Sequence, residues 1–91
     1  MEEEQLKLLE KLLKALANYR RLLIIKALKQ KTRLNVGQVA RMIELSFRAT
    51  SRHLNNLYKQ GVVIRQQKNL NMYYSLAQKP NKIIDLIKDK L

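Results

Sequence analysis

Cysteine is absent from the 91-residue sequence, which excludes disulfide bonds and thiolate metal sites and gives no sign of an oxidising compartment. Proline occurs once and glycine twice, so we find no flexible linker and predict a single domain over residues 1–91. Because no disulfide stabilises the core of so short a chain, we expect it to gain stability by association, as a homodimer.

Acidic residues are also scarce: 7 Asp and Glu oppose 19 Lys and Arg, for a formal net charge of +12. From Lys11 to Ile84, 16 basic residues face a single acid, Glu44. Such a field favours a polyanionic partner, since Lys and Arg displace the counterions condensed on phosphates. A charge kept for solubility alone is usually built from both signs. The charge balance therefore favours nucleic acid as the partner.

Long apolar runs are missing as well. The longest, Leu22–Ile25, is far too short to span a bilayer. The acidic start, Met1–Glu4, lacks the basic segment of a signal peptide. We therefore expect no membrane partner and a cytoplasmic, nucleoid-associated protein.

Catalytic and metal-binding constellations are lacking too. The only histidine, His53, has no oriented partner, because Ser51 lies two positions away and points elsewhere on a helix. The sequence contains no glycine loop that cradles phosphate, and the acids are isolated or gathered at the two ends. We predict that the protein is not an enzyme, has no cofactor and binds no metal.

Apolar residues at helical spacing predict four helices, over residues 2–17, 19–29, 35–43 and 46–60. Asn18 and Ser46 are suited to cap the second and fourth helices, and Gly61 suits the left-handed position that ends the fourth. On the fourth helix, the residues expected on the buried face are Thr50, Leu54, Leu57 and Tyr58.

A hairpin and a last helix are predicted to follow. Val62–Arg65 is β-branched and Met72–Leu76 alternates apolar side chains, so both segments predict strands, with the polar residues 66–71 as the hairpin tip. Pro80 and Asn81 are placed to open a last helix. The predicted fold is mainly α with a small β-hairpin, in the order α-α-α-α-β-β-α.

Two short helices joined by a tight turn at Glu44–Leu45, with a hairpin directly after them, are the parts of a winged helix-turn-helix. The second helix of such a pair fits the major groove of DNA, and its N-terminal residues reach base edges. The hairpin, or wing, over residues 62–76 can then lie on the neighbouring backbone or minor groove.

Several segments, in this order, resemble the ArsR-type winged-helix repressors over roughly residues 14 to 76. They are Lys14–Ala17 leading into Arg21 and Leu22, then Val36–Ala40, Ser51–Leu54, Gly61–Val63 and Tyr73–Leu76. The resemblance implies a homodimer, built through the first and last helices, that binds double-stranded DNA and regulates transcription. The usual metal-sensing residues are absent, since Leu34–Gly37 has no thiol and the last helix has no histidine. Glu44 stands where the turn often has glycine.

The predicted DNA-binding residues lie at the start of the fourth helix and around the hairpin tip: Ser46, Phe47, Arg48, Ala49, Ser51, Arg52, His53, Arg65, Gln67, Lys68 and Asn69. Arg48 and Arg52 share one helix face; we expect a base contact from Arg48 and a backbone or base contact from Arg52. Phe47 either meets a thymine methyl group or packs back on the helix. His53 has either a structural role or a phosphate contact.

The first and last helices carry more apolar surface than one small core needs. We expect the dimer interface to contain Leu6, Leu9, Leu12, Leu13, Ile83, Ile84, Ile87 and Leu91. The alternative is that residues such as Leu12 and Ile84 belong to an ordinary core.

Two other functions compete with duplex binding. A winged helix can serve as a protein-interaction or assembly module, for which a less basic face is expected. Binding of RNA or single strands usually requires an exposed aromatic platform, and the chain has five Phe and Tyr residues, several of them needed for the core.

Overall fold

A computed structural model describes residues 2–78 and 82–91. Within them it contains five helices and three strands: α1 (Glu3–Leu16), α2 (Tyr19–Lys31), β1 (Leu34–Asn35), α3 (Val36–Ile43), α4 (Phe47–Lys59), β2 (Val63–Lys68), β3 (Asn71–Leu76) and α5 (Lys82–Lys90). With α3 and α4 as the helix pair and β2–β3 as the wing, this is the predicted winged helix-turn-helix. The predicted helix start at Pro80 and Asn81 lies outside the described residues.

Side-chain caps define where the central helices begin. Asn18 Oδ1 accepts a hydrogen bond from the Arg21 amide over 3.1 Å, and Ser46 Oγ accepts one from the Ala49 amide over 3.1 Å. Asn35 and Gln38 form a reciprocal capping box at the start of α3, with both bonds at 2.9 Å. Each cap satisfies a helix amide that has no intrahelical acceptor. The caps predicted at Asn18 and Ser46 are confirmed.

The core forms around α2, which packs against the other four helices and β3. Its largest fully buried side chains are eight aliphatic residues and one threonine: Ile24, Ile25, Leu28, Val39, Leu54, Leu57, Val62, Val63 and Thr50. Burial of each large aliphatic side chain is worth about 1.5–3 kcal/mol. The prediction that Tyr58 is buried was wrong, because its side chain lies at the flank of α4 and stays 39% exposed.

The sheet contains a strand that the sequence did not reveal. Leu34 and Asn35 pair antiparallel with Tyr74 and Tyr73, which places β3 in the centre of the order β1-β3-β2. Tyr74 is buried, whereas Tyr73 is partly exposed, with the Arg33 guanidinium 5.0 Å from its ring centre. Two residues are too few to show the alternation that predicts a strand.

The wing spans the predicted residues, but its strands are longer and its loop is shorter than predicted. Gln66, Gln67 and Lys68 belong to β2, and Lys68 pairs with Asn71, so the loop consists of two residues, Asn69 and Leu70. The predicted tip over residues 66–71 was therefore too wide. The error arose because the outer part of this ribbon faces solvent on both sides, and polar side chains there hide the strand period.

α5 is held against the rest of the fold by both apolar and polar contacts. Ile84 is buried in the shared core. Lys29 Nζ donates to the Lys88 carbonyl over 2.7 Å, and Lys88 Nζ donates to the Ala77 carbonyl over 3.4 Å. Across residues 2–78 and 82–91, no helix combines the length and hydropathy required to cross a membrane.

Candidate DNA-binding surface

The turn between α3 and α4 depends on an unusual glutamate. Glu44 adopts the left-handed conformation (φ 55°, ψ 51°), and the Leu45 amide returns to the Ala40 carbonyl over 3.0 Å. Ser46 then caps α4. Glutamate thus occupies a conformation that glycine adopts without steric cost. The tight turn predicted at Glu44–Leu45 is present, and it fixes how α4 projects from the fold.

One face of α4 is anchored and the other is open. Thr50, Leu54 and Leu57 are buried, as expected. The residues at its N-terminal end and along its outer face are exposed or partly exposed: Ser46, Phe47, Arg48, Ala49, Ser51 and Arg52. Phe47 is 62% exposed, so it does not pack back on the helix. The open face is therefore available to a macromolecule.

His53 is held by a residue of another helix. Arg21 Nε donates to His53 Nδ1 over 3.1 Å, while Arg21 Nη1 donates to the Ala15 carbonyl over 3.2 Å. Partial burial, with the positive charges of Arg21, Arg52 and Arg20 adding to it, lowers the pKa of His53. The neutral imidazole accepts at Nδ1 and carries its proton at Nε2. This geometry supports the structural role expected for His53.

The wing brings together fewer of the predicted residues than expected. Arg65 does not lie at the tip; it pairs with Tyr74, and its guanidinium stacks 3.9 Å from the ring centre of Tyr58 on α4. This cation–π contact joins the wing to α4. Gln67 and Lys68 lie exposed next to the loop, and Asn69 occupies its first position with φ 57°.

Sequence reasoning missed Leu70 at the wing tip, whose side chain is 97% exposed. An apolar residue inside a polar hairpin tip is the signal that could have found it. Leu70 and Phe47 line one concave surface, together with Arg41, Gly37 and Met72 among others. The start of α4 and the wing tip therefore face the same side of the molecule.

The charged residues of α4 and the wing are all basic. No Asp or Glu occurs from Leu45 to Ile84, and Arg48, Arg52 and Lys68 are exposed. In the described part of the chain the ion pairs are Lys14–Glu10 on α1 and Lys88–Asp85 on α5, so neither pair lies on α4 or the wing. Within residues 2–78 and 82–91, no group of three or more His, Cys, Asp or Glu is placed to hold a metal ion.

A second, apolar surface lies on α1 and α5. A groove between them is lined by Leu13, Leu16, Ala17, Leu22, Leu86, Ile87, Lys90 and Leu91. Of the predicted interface residues, Leu6 and Leu13 are exposed, and Leu9, Ile83, Ile87 and Leu91 are partly buried. Leu12 and Ile84 are 5% and 2% exposed, so they belong to the core of their own subunit and that part of the prediction was wrong. Leu86, which is exposed and lines this groove, was not among the predicted interface residues.

Comparison with known proteins places the chain in a family. The family model of bacterial regulatory proteins of the arsR family matches residues 18–65. No curated protein matches the chain in sequence. Many solved structures are similar to it, among them one each from Vibrio cholerae, Bacillus anthracis and Mycobacterium bovis.

HlyU from Vibrio cholerae N16961 is 33% identical, with 99% of this chain and 97% of that chain covered and a TM-score of 0.78. The transcriptional repressor PagR of Bacillus anthracis is 30% identical, with 99% and 100% covered and a TM-score of 0.78. A homodimeric winged helix-turn-helix DNA-binding domain from Mycobacterium bovis is 25% identical, with 96% and 77% covered and a TM-score of 0.80. The chain belongs to the ArsR family of bacterial regulatory proteins.

Proposed function

We propose that this protein is a sequence-specific regulator that binds double-stranded DNA as a homodimer and represses transcription by occupying a promoter. One observation carries the proposal: the start of α4 and the wing tip line one concave surface, and these two elements expose Arg48, Arg52 and Lys68 and carry no carboxylate. A surface of this shape and sign fits the grooves and phosphates of a duplex.

Within this proposal, α4 is the recognition helix in the major groove. Arg48, the second residue of α4 and exposed, reads a guanine edge, while Arg52 one turn later contacts a base or a phosphate. Ser46, Phe47, Ala49 and Ser51 lie around them at the start of the helix. Phe47 and Ala49 offer apolar contacts to a thymine methyl group, and Ser46 and Ser51 offer hydroxyls.

The wing residues and His53 position the protein on the backbone. Lys68, Gln67 and Asn69 reach phosphates or the minor groove from the tip of the wing. Arg65 orients the wing through its stack on Tyr58 and can still present its outer N–H groups to a phosphate. His53 lines a concave surface together with Arg21 and Arg52, and a phosphate oxygen bound there can accept its Nε2–H.

The homodimer is proposed to form through α1 and α5. Leu13 and Leu86 remain exposed at a groove that is almost entirely apolar, and Leu6 extends the apolar face toward the start of α1. Covering such a surface with its own copy removes apolar area from water and gives two recognition helices related by a two-fold axis. The Mycobacterium bovis relative is a homodimer, and PagR is a repressor.

The proposed regulator has no resident metal, because a subunit offers no cysteine and one histidine, and a dimer only two histidines. The site of action is the DNA of the cell, hence the cytoplasm and its nucleoid.

Selection of bound duplexes from a random library tests the proposal. We expect enrichment of one motif, repeated with two-fold symmetry, and competition by its duplex but not by either of its single strands. Arg48→Ala should relax the preference at one or two base pairs of each half-site, whereas Lys68→Ala should weaken all duplexes alike. Lys7→Ala, a charge change on the exposed face of α1, is the matched control and should leave binding unchanged. Failure to enrich any duplex would support the protein-interaction alternative.

A further inference from the structure

The wing ends in a leucine that the fold leaves uncovered. Leu70 is 97% exposed, whereas the next most exposed large hydrophobic side chain among residues 2–78 and 82–91 is Tyr19, at 70%. It occupies the second position of a two-residue loop closed by the Lys68–Asn71 pair, with Asn69 at positive φ. So tight a loop leaves no length of chain with which Leu70 could fold back on the protein.

The surroundings of Leu70 indicate what it meets. Lys68 lies beside the loop, and Asn69 and Asn71 flank Leu70 with amide groups that can donate to and accept from base edges. No carboxylate occurs on the wing. An apolar tip set among basic and amide side chains fits a polyanion with an apolar interior. Duplex DNA is such a polyanion, because its stacked base pairs lie behind a phosphate backbone.

The position of Leu70 relative to α4 fits the spacing of the two grooves. Leu70 at the wing tip and Phe47 at the start of α4 line one concave surface that Arg41 and Gly37 also line. If the start of α4 enters the major groove, the strand that separates this groove from the minor groove passes through the concavity. Arg41, which is exposed there, then meets its phosphates, and Leu70 reaches the minor groove beyond it.

We infer that Leu70 is an apolar wedge that enters the minor groove, partly unstacks one base-pair step and bends the DNA. Apolar wedges of this kind open base steps and kink a duplex toward the major groove. Pyrimidine–purine steps unstack most easily, so the wing selects them without hydrogen-bonding their bases. This inference rests on the proposed function, and it adds a specificity-determining residue at the wing.

The test uses the full chain and a duplex selected by the wild-type protein. The duplex carries a dye at each end, and 2-aminopurine is placed in turn at each base-pair step that the wing is expected to contact. We expect wild-type binding to shorten the end-to-end distance and to raise the 2-aminopurine fluorescence at one step. Leu70→Ala should weaken binding by about 5- to 30-fold and abolish both signals at saturating protein, whereas Leu70→Met should retain them. Replacing the step with a stiff purine–purine step should cost the wild type affinity but leave Leu70→Ala unchanged.

Controls separate the wedge from a general loss of binding. The Lys68→Ala variant should bind more weakly than wild type but should still bend the DNA at saturating protein. Leu8→Ala removes an exposed leucine from α1 and should alter neither signal. Equal bending by Leu70→Ala and wild type overturns the inference and leaves the proposed function intact. Absence of wild-type binding to every duplex overturns both.

Discussion

Arg21 on α2 donates a hydrogen bond from Nε to His53 Nδ1 on α4 over 3.1 Å, and the same guanidinium bonds the Ala15 carbonyl of α1. Three helices are thereby joined through one side chain. The bond requires a neutral imidazole, because a protonated His53 would present an N–H at Nδ1 to the N–H of a cation. The orientation of α4 thus depends on the charge of His53.

Stability should therefore decrease in acid. The folded protein holds the pKa of His53 below its usual 6.5, mainly through burial and then through Arg21, Arg52 and Arg20. The unfolded chain consequently takes up the proton at higher pH than the folded chain does. The free energy of unfolding is then largest above about pH 7, falls as the pH drops through 6.5, and levels off below the folded pKa. Urea unfolding at a fixed protein concentration across this range measures the effect.

A matched variant isolates the contribution of His53. His53→Asn keeps an acceptor, since Asn Oδ1 stands close to where Nδ1 stood, but it has no proton to gain. It should show a flatter pH profile than wild type between about pH 7.5 and 5. If the two profiles have the same slope, the acid sensitivity arises elsewhere and the account of this bond is wrong.

The buried face of α4 contains a polar atom without a partner. Thr50 is fully buried, and its Oγ1 makes no hydrogen bond. Thr50→Val keeps the shape and removes the desolvated hydroxyl, so we expect it to stabilise the protein by about 1 kcal/mol in chemical denaturation. Thr50→Ser, which keeps the hydroxyl and removes the methyl group, should destabilise it. A valine variant less stable than wild type would show that Oγ1 is satisfied in solution.

The turn of the helix pair stores backbone strain at Glu44. Its φ of 55° is costly for a residue with a Cβ atom, and glycine avoids that cost while losing more entropy on folding. We expect Glu44→Gly to raise stability by about 0.5–1 kcal/mol, seen as a higher thermal midpoint. Glu44→Gln removes the charge but keeps the Cβ atom and should give no comparable gain. Equal shifts for both variants would point to charge repulsion rather than strain.

Dimer formation should depend on leucines that the subunit does not bury itself. Leu86 on α5 is 62% exposed and lines the apolar groove with Leu13 of α1. Leu13→Glu combined with Leu86→Glu should convert a particle of twice 10.8 kDa into one of 10.8 kDa in sedimentation equilibrium. Met42→Glu introduces the same charge on α3 and should remain dimeric. A double variant that stays dimeric would place the interface elsewhere.

Most of the fold could be predicted from short-range patterns in the sequence. Ser46 and Asn18 were found because a cap and the amide it serves lie three residues apart, and Gly61 was placed because few residues other than glycine accept φ 75°. The exposed starting face of the recognition helix followed from the helical period opposite Thr50, Leu54 and Leu57. These features depend on residues that lie close together in the sequence.

Two of the errors concern partners far apart in the chain. A periodic stripe shows which side chains are apolar but not what covers them, so Leu12 and Ile84 were assigned to a partner subunit although their own core buries them. Arg65 was placed at the tip of the wing because nothing local indicates its stack on Tyr58. Leu70 was passed over since its neighbours are polar.

The central claim, that the basic surface of α4 and the wing binds duplex DNA, is tested most directly by the salt dependence of the affinity. The dissociation constant of the selected duplex and of a scrambled duplex should be measured at several salt concentrations. We expect the logarithm of the binding constant to fall with the logarithm of salt with a slope of about −4 or steeper for both, as for a dimer with five or more phosphate contacts. The selected duplex should bind at least about 10³-fold more tightly throughout. A flat salt dependence, or equal affinity for the two duplexes, would contradict the account.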